Sequence, residues 1–336
     1  MKRFVKMGLA SVCIVLAATN CTWDDIEPAD SGSANLIFNF VSTKAAVPDP
    51  DSFVLEVIGS QGDTFYSGPF GDRPQSLAVK PGSYEVRLFS EFDAPAFNSP
   101  QYGDVVNVTV KKKETVTVNL NCTLVNSGIY LTFSDTFRQE YGNSPIILSQ
   151  NGKEVEYPFS KSDVAYFNPG RVFVLYNGEV MLYKELLGGQ IRHLNLDAVY
   201  SSAEVGFTVR IDTDAPVIED EHTMEPQPFG VEEAKLFDDG LTASVEGYIV
   251  GAVKSSKFIA AGTSGFDVTS NIVISSVTNP ASLSDCIPVE LKGAFKNELN
   301  LVEHPELSGR KVVVKGSVMP YFGVRGLKNV TKYILQ

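Results

Sequence analysis

Short runs in which apolar and polar residues alternate dominate the chain from residue 34 onward. In the run SYEVRLF (83–89), Tyr84, Val86 and Leu88 would share one face of a strand, because successive side chains of a strand point to opposite faces. No crossover helix of the kind that parallel strands need is visible between these runs. Residues 34–121 are therefore predicted to form an antiparallel β-sandwich, with strands at 36–41, 52–58, 83–89, 105–110 and 115–120.

A second set of strand-like runs predicts another all-β unit over residues 122–211. Asn151-Gly152 and Asn177-Gly178 are strong signals for two-residue hairpin turns. The two units join near Cys122 without a visible linker, so one larger domain is an alternative to two stacked sandwiches. The predicted strands cover residues 128–133, 146–149, 155–159, 171–176, 190–196 and 205–211.

Residues 212–228 combine three prolines with six acidic residues, a composition that buries too little apolar surface to stay ordered alone. This pattern predicts a linker and a domain boundary. We expect few contacts to cross it, so that the fragment from Gly230 to Gln336 would fold by itself.

Residues 229–336 show a different pattern, in which short helical segments at 231–237 and 295–302 accompany about five strands. A helix inserted before the last strands is typical of an OB-type barrel. The fold class predicted is all-β, with one or two antiparallel β-sandwich domains followed by an OB-like small barrel with short helices. The strands are expected at 243–250, 257–261, 271–276, 287–291, 311–319 and 332–335.

The first residues predict an export signal. Three basic residues precede an uncharged, mostly apolar run over 7–18, which is shorter than the roughly 20 residues of a membrane-spanning helix. Small residues and then Cys21 follow, and this ending resembles the lipobox of bacterial lipoproteins. The resemblance implies a signal peptide over 1–20 and a lipid anchor on Cys21. An ordinary secretory signal with cleavage nearby is the alternative.

The composition of residues 21–33 predicts an acidic tether. Asp24 and Asp25 resemble the export signal that sends lipoproteins of Bacteroidota-type bacteria to the outer face of the outer membrane. The resemblance implies an outer membrane lipoprotein exposed on the cell surface. The alternatives are the periplasmic face of that membrane and a merely solvated spacer.

Charge and side-chain chemistry exclude several classes of function. After position 20 the chain has 25 basic and 40 acidic residues, a net charge of −15, which argues against nucleic acid as a partner. Cys122 and Cys286 lie in strand-like runs, where a cysteine acts as a small buried hydrophobe. The three histidines form no spaced pair, so no metal, cofactor or catalytic site is expected.

Two stretches resemble known families. KPGSYEVRLFSE and NVTVKKKETVTVNLNCTL resemble the N-terminal β domain of surface lipoproteins of gut Bacteroidota, which is labelled as of unknown function or cell adhesion and is fimbrillin-like. That resemblance covers residues 34–210. LNLVEHPELSGRKVVVKGSVMPYFGVRGLKN resembles a C-terminal OB-like domain of the same lipoproteins, which has no assigned chemistry.

Aromatic and cationic residues coincide in the predicted barrel and form the candidate ligand site. OB barrels bind oligosaccharides or oligonucleotides on one face by aromatic stacking, and a surface location favours a glycan or peptide. The alternative is that these aromatics are core residues. On a regular strand Tyr321 and Phe322 would face opposite ways. The candidates are Tyr248, Lys257, Phe258, Tyr321, Phe322 and Arg325, with Lys328 beside them.

These observations favour a non-catalytic, surface-anchored lipoprotein for adhesion or extracellular binding. Its partners would be the outer membrane, through the N-terminal lipid, and a glycan or protein ligand. One alternative is a glycan-binding accessory protein of a carbohydrate-uptake system. Another is a secreted hydrolase whose site is assembled from scattered residues. The sequence does not indicate an oligomeric state.

Overall fold

The computed structural model describes residues 33–41, 49–142, 144–198 and 227–336, and the backbone of 217–223. Strands dominate and the helices are few and short, which confirms the all-β class. The predicted signal peptide, Cys21, the acidic tether and the strand expected at 205–211 lie outside the described residues. Among the described residues, no helix is both long and apolar enough to cross a membrane.

The first unit is a sandwich of two sheets, ordered β4-β1-β8 and β3-β2-β5-β7-β9. Tyr84, Val86 and Leu88 of β5 are buried between the sheets, as the alternation predicted. The strands are β1 (Ala34–Val41), β2 (Val54–Gly59), β3 (Thr64–Pro69), β4 (Leu77–Val79), β5 (Gly82–Phe89), β6 (Ala96–Phe97), β7 (Tyr102–Val110), β8 (Thr115–Asn121) and β9 (Thr123–Leu124).

One pairing in this sandwich differs from the antiparallel expectation. Strands β1 and β8 run parallel, in register from Asn35 opposite Thr115 to Val41 opposite Asn121. A parallel pair needs a long connection between its strands. Here the connection is the rest of the unit, so the absence of a crossover helix does not exclude the pair.

The second unit contains a strand pair at each predicted Asn-Gly turn. Asn151 and Gly152 have φ of 52° and 74°, and Asn177 and Gly178 have 48° and 76°. Both therefore form the predicted two-residue turns. The elements are β10 (Ser127–Phe133), α1 (Asp135–Tyr141), β11 (Ile146–Gln150), β12 (Lys153–Tyr157), β13 (Ala165–Phe167), β14 (Gly170–Tyr176), β15 (Glu179–Leu186), β16 (Ile191–Asp197) and β17 (Val217–Thr223).

Strand β17 corrects the prediction of a linker over 212–228. It pairs in parallel with β16, from Ile191 opposite Val217 to Asp197 opposite Thr223, at the edge of the sheet β17-β16-β10-β13-β6. Charged residues are common on edge strands, where they discourage pairing with other chains. Backbone pairing at an edge can thus order a segment that is too acidic to form a core strand.

The last unit is a closed ring of five strands, in the order β19-β21-β22-β24-β23 and back to β19. The helix α3 lies between the third and fourth of these strands along the chain. The elements are β18 (Phe229–Gly230), α2 (Val231–Ala234), β19 (Thr242–Lys254), β20 (Lys257–Ala260), β21 (Asn271–Ser275), β22 (Cys286–Glu290), α3 (Ala294–Leu299), β23 (Lys311–Tyr321) and β24 (Val324–Leu335).

The second unit and this barrel share one hydrophobic core, contrary to the expectation that few contacts would join them. Phe173, Leu175 and Val180 of the second unit belong to the same buried cluster as Phe237 and the interior of the barrel. Strands β15 and β19 also pair at Glu179 and Thr242. The acidic composition of the connecting segment gave no signal of this interface, which is built by residues on either side of it.

Candidate functional site

The barrel carries a second, smaller apolar cluster on the outside of β19, β21 and β22. Ile272 and Ile274 of β21 point into the main core, so Val273 between them points outward. We call the buried outward residues Val250, Val253, Val273 and Cys286 the outer cluster. Half-buried side chains that pack over the outer cluster are Tyr248, Phe258, Leu283 and Phe322.

Tyr321 and Phe322 form a stacked pair at the hairpin between β23 and β24. Their ring centroids are 4.1 Å apart and their planes are inclined by 28°. Phe322 is not on a strand; it and Gly323 form a two-residue turn with φ of 52° and 83°. The prediction that the two rings face opposite ways is therefore wrong, because the turn places the Phe322 ring against the Tyr321 ring.

Gly326 explains how Tyr321 fits against β22. A Cβ atom at Gly326 would lie 2.6 Å from the Cβ of Tyr321 and 2.7 Å from the carbonyl oxygen of Pro288. Such distances are impossible for a side chain, so the glycine leaves the space that Tyr321 covers. Burial, and then the negative charge of Glu290, raise the pKa of the Tyr321 hydroxyl. The hydroxyl is thus held protonated near a carboxylate.

Polar groups surround the stacked pair. The Lys328 ammonium lies 4.9 Å from the centroid of the Tyr321 ring, a cation–π distance. Glu290 forms an ion pair with Lys292, with 2.9 Å between nitrogen and oxygen. We call the four rings of Tyr248, Phe258, Tyr321 and Phe322, together with this polar rim, the aromatic face.

The two other predicted cations occupy different positions. Arg325 forms an ion pair with Asp239, so its charge is compensated within the chain. Lys257 is exposed at the start of β20, after a turn in which Ser255 and Ser256 have φ of 50° and 60°. The structure thus gathers the four predicted aromatics at one surface and places these cations at its margins.

The thiols of the described residues are buried and protonated. Cys286 donates to the carbonyl oxygen of Ser282 at 3.3 Å, and burial raises its pKa to about 11. Burial raises the pKa of Cys122 to about 12. A thiol with so high a pKa is a poor nucleophile. Both cysteines are the small buried hydrophobes that their strand-like runs predicted.

The two histidines whose side chains the structure describes lie in different units. His193 of β16 is buried and stacks on Tyr130, with ring centroids 4.3 Å apart. His304 lies in the loop after α3, where its two ring nitrogens contact Glu306 and the carbonyl oxygen of Asn297. Within the described part of the chain, no group of three or more His, Cys, Asp or Glu side chains is placed to hold a metal ion.

A groove of about 370 Å³ lies where the second unit meets the barrel. Glu179 accepts a hydrogen bond from the Ser244 hydroxyl at 2.9 Å and forms an ion pair with Lys315. Its carboxylate is therefore used to join β15 to the barrel. The groove is a polar seam between the units and offers a ligand fewer ring faces than the aromatic face does.

Sequence reasoning missed the layer beneath the aromatic face. The outer cluster was not predicted, although alternation in NIVIS and CIPVEL already places Val273 and Cys286 opposite the inward isoleucines. Leu283 and Glu290 were also missed. Both residues belong to the site only because the turn at Phe322 places the stacked rings beside them. The left-handed backbone of that turn has no signal in the sequence.

Two family models match the chain. One, described as a domain of unknown function (DUF4493), matches residues 37–225. The other, described as a domain of unknown function (DUF6359), matches residues 229–336. Among curated proteins, the chain is 36% identical over 107 residues to Endonuclease YhcR of Bacillus subtilis. That match covers 32% of this chain, which spans only 9% of the length of that protein.

Three solved structures are similar to parts of the chain. The fimbrial anchor protein Mfa2 of Porphyromonas gingivalis is 10% identical, with 46% of this chain and 83% of that chain covered and a TM-score of 0.32. A candidate polysaccharide-binding protein of Bacteroides thetaiotaomicron is 12% identical, with 46% and 80% covered and a TM-score of 0.26. A candidate cell adhesion protein of the same species is 10% identical, with 53% and 98% covered and a TM-score of 0.28. Similarity at this level assigns no function.

Proposed function

The chain belongs to the family described as a domain of unknown function (DUF4493), and on that premise we propose that it is a non-catalytic binding protein held at the bacterial cell surface. The aromatic face of the barrel is the proposed ligand site. The five-stranded ring with a helix between its third and fourth strands supports an OB-type barrel, in which one strand face and the adjoining loops bind ligands.

The conformation of Phe322 carries this proposal. A residue other than glycine with positive φ is uncommon, and a two-residue turn of this type prefers Asn-Gly. Holding a bulky residue there costs about 1 kcal/mol or more, and strain of this kind concentrates at ligand-binding sites. The cost is offset by a ring placed at a hairpin tip and stacked on Tyr321.

The chemistry of the aromatic face suits a glycan or an extended peptide. Ring faces stack against apolar patches of a ligand, while Tyr321, Glu290, Lys292 and Lys328 offer donors and acceptors for its polar groups. The barrel region has 11 basic and 11 acidic residues, which argues against a polyanionic ligand. A glycan-binding accessory role in carbohydrate uptake is the second candidate, because stacked aromatics with a polar rim fit sugars.

A glycan array and a peptide library, both probed with the chain from Thr22 onward, test the ligand site. We expect binding that Tyr321→Ala removes and that Ile334→Ala retains, because Ile334 is exposed on a different part of the barrel. Hydrolysis of a bound glycan or peptide would contradict the non-catalytic role. Binding that survives Tyr321→Ala would contradict the site.

The proposal includes lipid anchoring at Cys21, with Asp24 and Asp25 as the export signal. The outer membrane would hold the lipid, with the folded units on the cell surface; the periplasmic face is the alternative. The sequence pattern of residues 1–25 supports this part of the proposal.

A further inference from the structure

The described part of the first unit begins between two turns that carry lysines. Ala34, the first residue of β1, pairs with Val79, the last residue of β4, and Lys80 follows directly. On the other side of β1, Asn35 pairs with Thr115, the first residue of β8. The three residues that precede Glu114 in the turn before β8 are all lysines. The register therefore places four lysines around the point where the N-terminal segment joins the fold.

Hydrogen bonds fix the turn before β8 in this position. The Lys111 N–H donates to a carboxylate oxygen of Glu114 at 2.7 Å, and the Asn35 N–H donates to the Glu114 carbonyl oxygen at 2.9 Å. Gly82 of β5 pairs with Val110 of β7, so the turn that holds Lys80 lies at the same end. We call the exposed side chains of Lys80, Lys111, Lys112 and Lys113 the lysine end.

Charge is distributed unevenly over this unit. Residues 49–121 contain six basic and ten acidic residues, and four of the six basic ones form the lysine end. Within the described residues, the acids at this end are Asp63, in the turn between β2 and β3, and Glu114, so these six side chains sum to a net charge of +2. Acids collect at the opposite end of the strands, at Asp49, Asp51, Asp72 and Asp104.

The connection to the second unit leaves from the acidic end. Strand β6 lies between the end of β5 and the start of β7, and its Phe97 pairs with Ala165 of β13. Asn121 ends β8 at that same end, where the chain continues toward β10. The N-terminal segment and the rest of the protein are therefore attached at opposite ends of the first unit.

The proposed anchor lies close in sequence to Ala34, the residue of β1 that lies beside the lysine end. Twelve residues separate Cys21 from Ala34. Twelve residues span at most about 40 Å, the limit that covalent geometry sets. Because Ala34 lies beside the turns that carry these lysines, a membrane surface that holds Cys21 is within reach of the lysine end.

We propose that the lysine end rests on the anionic headgroups of the membrane to which the N-terminal segment leads. This inference rests on the proposed lipid anchor. Lysines are attracted to an anionic surface, and the attraction decays within a Debye length of about 8 Å at physiological salt. The contact orients the molecule, with the acidic end and the barrel held away from the membrane.

Vesicle binding by the chain from Thr22 to Gln336, which lacks the lipid, tests the contact. The probes are vesicles of phosphatidylcholine alone and of phosphatidylcholine mixed with phosphatidylglycerol, titrated at low salt. We expect at least about tenfold tighter binding to the anionic vesicles, which high salt removes. Replacing Lys111, Lys112 and Lys113 by glutamine should abolish that preference.

The matched control replaces three exposed lysines of the barrel that lie outside the aromatic face, Lys254, Lys296 and Lys332, by glutamine. It changes the net charge equally and should retain the preference for anionic vesicles. Equal loss in both triple variants would overturn the proposal, since net charge alone would then govern binding. A second result would also overturn the proposal. If the chain binds anionic vesicles only after the tether acids Asp24, Asp25, Glu27 and Asp30 are replaced by amides, then the acidic tether, and not the membrane, is the partner of the lysine end. Neither readout uses the lipid or the aromatic face, so the anchor and the ligand site are tested separately.

Discussion

Phe173 of β14 and Phe237, which follows α2, lie edge to face, with ring centroids 5.0 Å apart and planes inclined by 69°. Tyr183 and Phe229 complete an aromatic group in which each ring touches Phe237. Arg171 adds a hydrogen bond from its guanidinium to the carbonyl oxygen of Leu236 at 2.7 Å. The second unit and the barrel are therefore joined by a buried apolar interface.

Replacing Phe237 by alanine should destabilise both units together. Loss of a fully buried aromatic costs about 3–5 kcal/mol. We expect a single cooperative thermal transition to shift downward, with faster proteolysis in both units. Phe295→Ala is the control, because Phe295 is only partly buried and its ring contact is with Tyr333 of the barrel. Two independent transitions, of which only the barrel transition shifts, would contradict the shared core.

The same interface changes the expectation for the isolated barrel. A fragment from Gly230 to Gln336 would expose Phe237 without Phe173 and Tyr183 to cover it. We now expect this fragment to melt without cooperativity or to aggregate, whereas the sequence alone predicted that it would fold independently.

The local sequence pattern was sufficient to predict a strand when one face of that strand is buried. The strand at Gly82–Phe89 and the Asn-Gly turns could be predicted, because alternation and turn chemistry are local properties. Strand Thr64–Pro69 could not, because its side chains are mostly exposed and its sequence, TFYSGP, does not alternate between apolar and polar residues. The helix Asp135–Tyr141 was also missed; it begins where the Ser134 hydroxyl accepts from the Phe137 N–H, a signal that one serine carries weakly.

Relationships between distant segments could not be predicted from local pattern. The parallel pair of β1 and β8 joins residues about 80 positions apart. The aromatic face could be predicted only as a set of residue types in one domain. Its arrangement depends on the left-handed Phe322 and on the space at Gly326, which are properties of the folded hairpin.

The loop after α3 should respond to pH through His304. Hydrogen bonding to Glu306 raises the pKa of the His304 imidazole, and the carbonyl of Asn297 accepts from its other nitrogen at 2.9 Å. A raised pKa in the folded state stabilises the loop fully below the ordinary histidine value of about 6.5. The contribution is lost as pH rises through the folded pKa.

Glu306 sets the lower limit of the pH range in which this ion pair stabilises the loop. Its own backbone N–H, and then His304, lower its pKa, so its contribution is present above about 4.5 and is lost as pH falls through the lowered value. An NMR titration should give a His304 pKa above 6.5, which Glu306→Gln lowers. Glu303→Gln is the control and should have a smaller effect, since Glu303 acts only through a weaker charge interaction. An unchanged His304 pKa in Glu306→Gln would refute this assignment.

Cys21→Ser should abolish labelling of the protein by radioactive fatty acid and release it from the membrane fraction. The expected chemistry requires a thiol at the start of the mature chain, which serine lacks. Cys13→Ser provides the control, because residue 13 lies within the predicted signal peptide and should be removed with it. Retained acyl labelling in Cys21→Ser would show that the anchor is elsewhere.

Asp24 and Asp25 should govern display and not lipidation. Replacing both by alanine is expected to leave acyl labelling intact and to reduce cleavage by protease added to intact cells. Glu27→Ala with Asp30→Ala removes the same charge farther from Cys21. If both double variants lose protease accessibility equally, acidic charge in general governs display, and Asp24 and Asp25 are not a specific export signal.

Phe322→Asn should separate binding from stability. Asparagine suits the left-handed position of the turn better than phenylalanine does, which gains stability. Removing the half-buried ring loses packing on the outer cluster, which costs stability. The two effects oppose each other, so we expect the free energy of unfolding to change by no more than about 1 kcal/mol.

Ligand binding should nevertheless be lost in Phe322→Asn, because the ring at the hairpin tip is gone. Phe322→Tyr keeps a ring and should bind. If Phe322→Asn binds the ligand as tightly as the parent chain, the strained turn serves only the hairpin, and the aromatic face is not the ligand site.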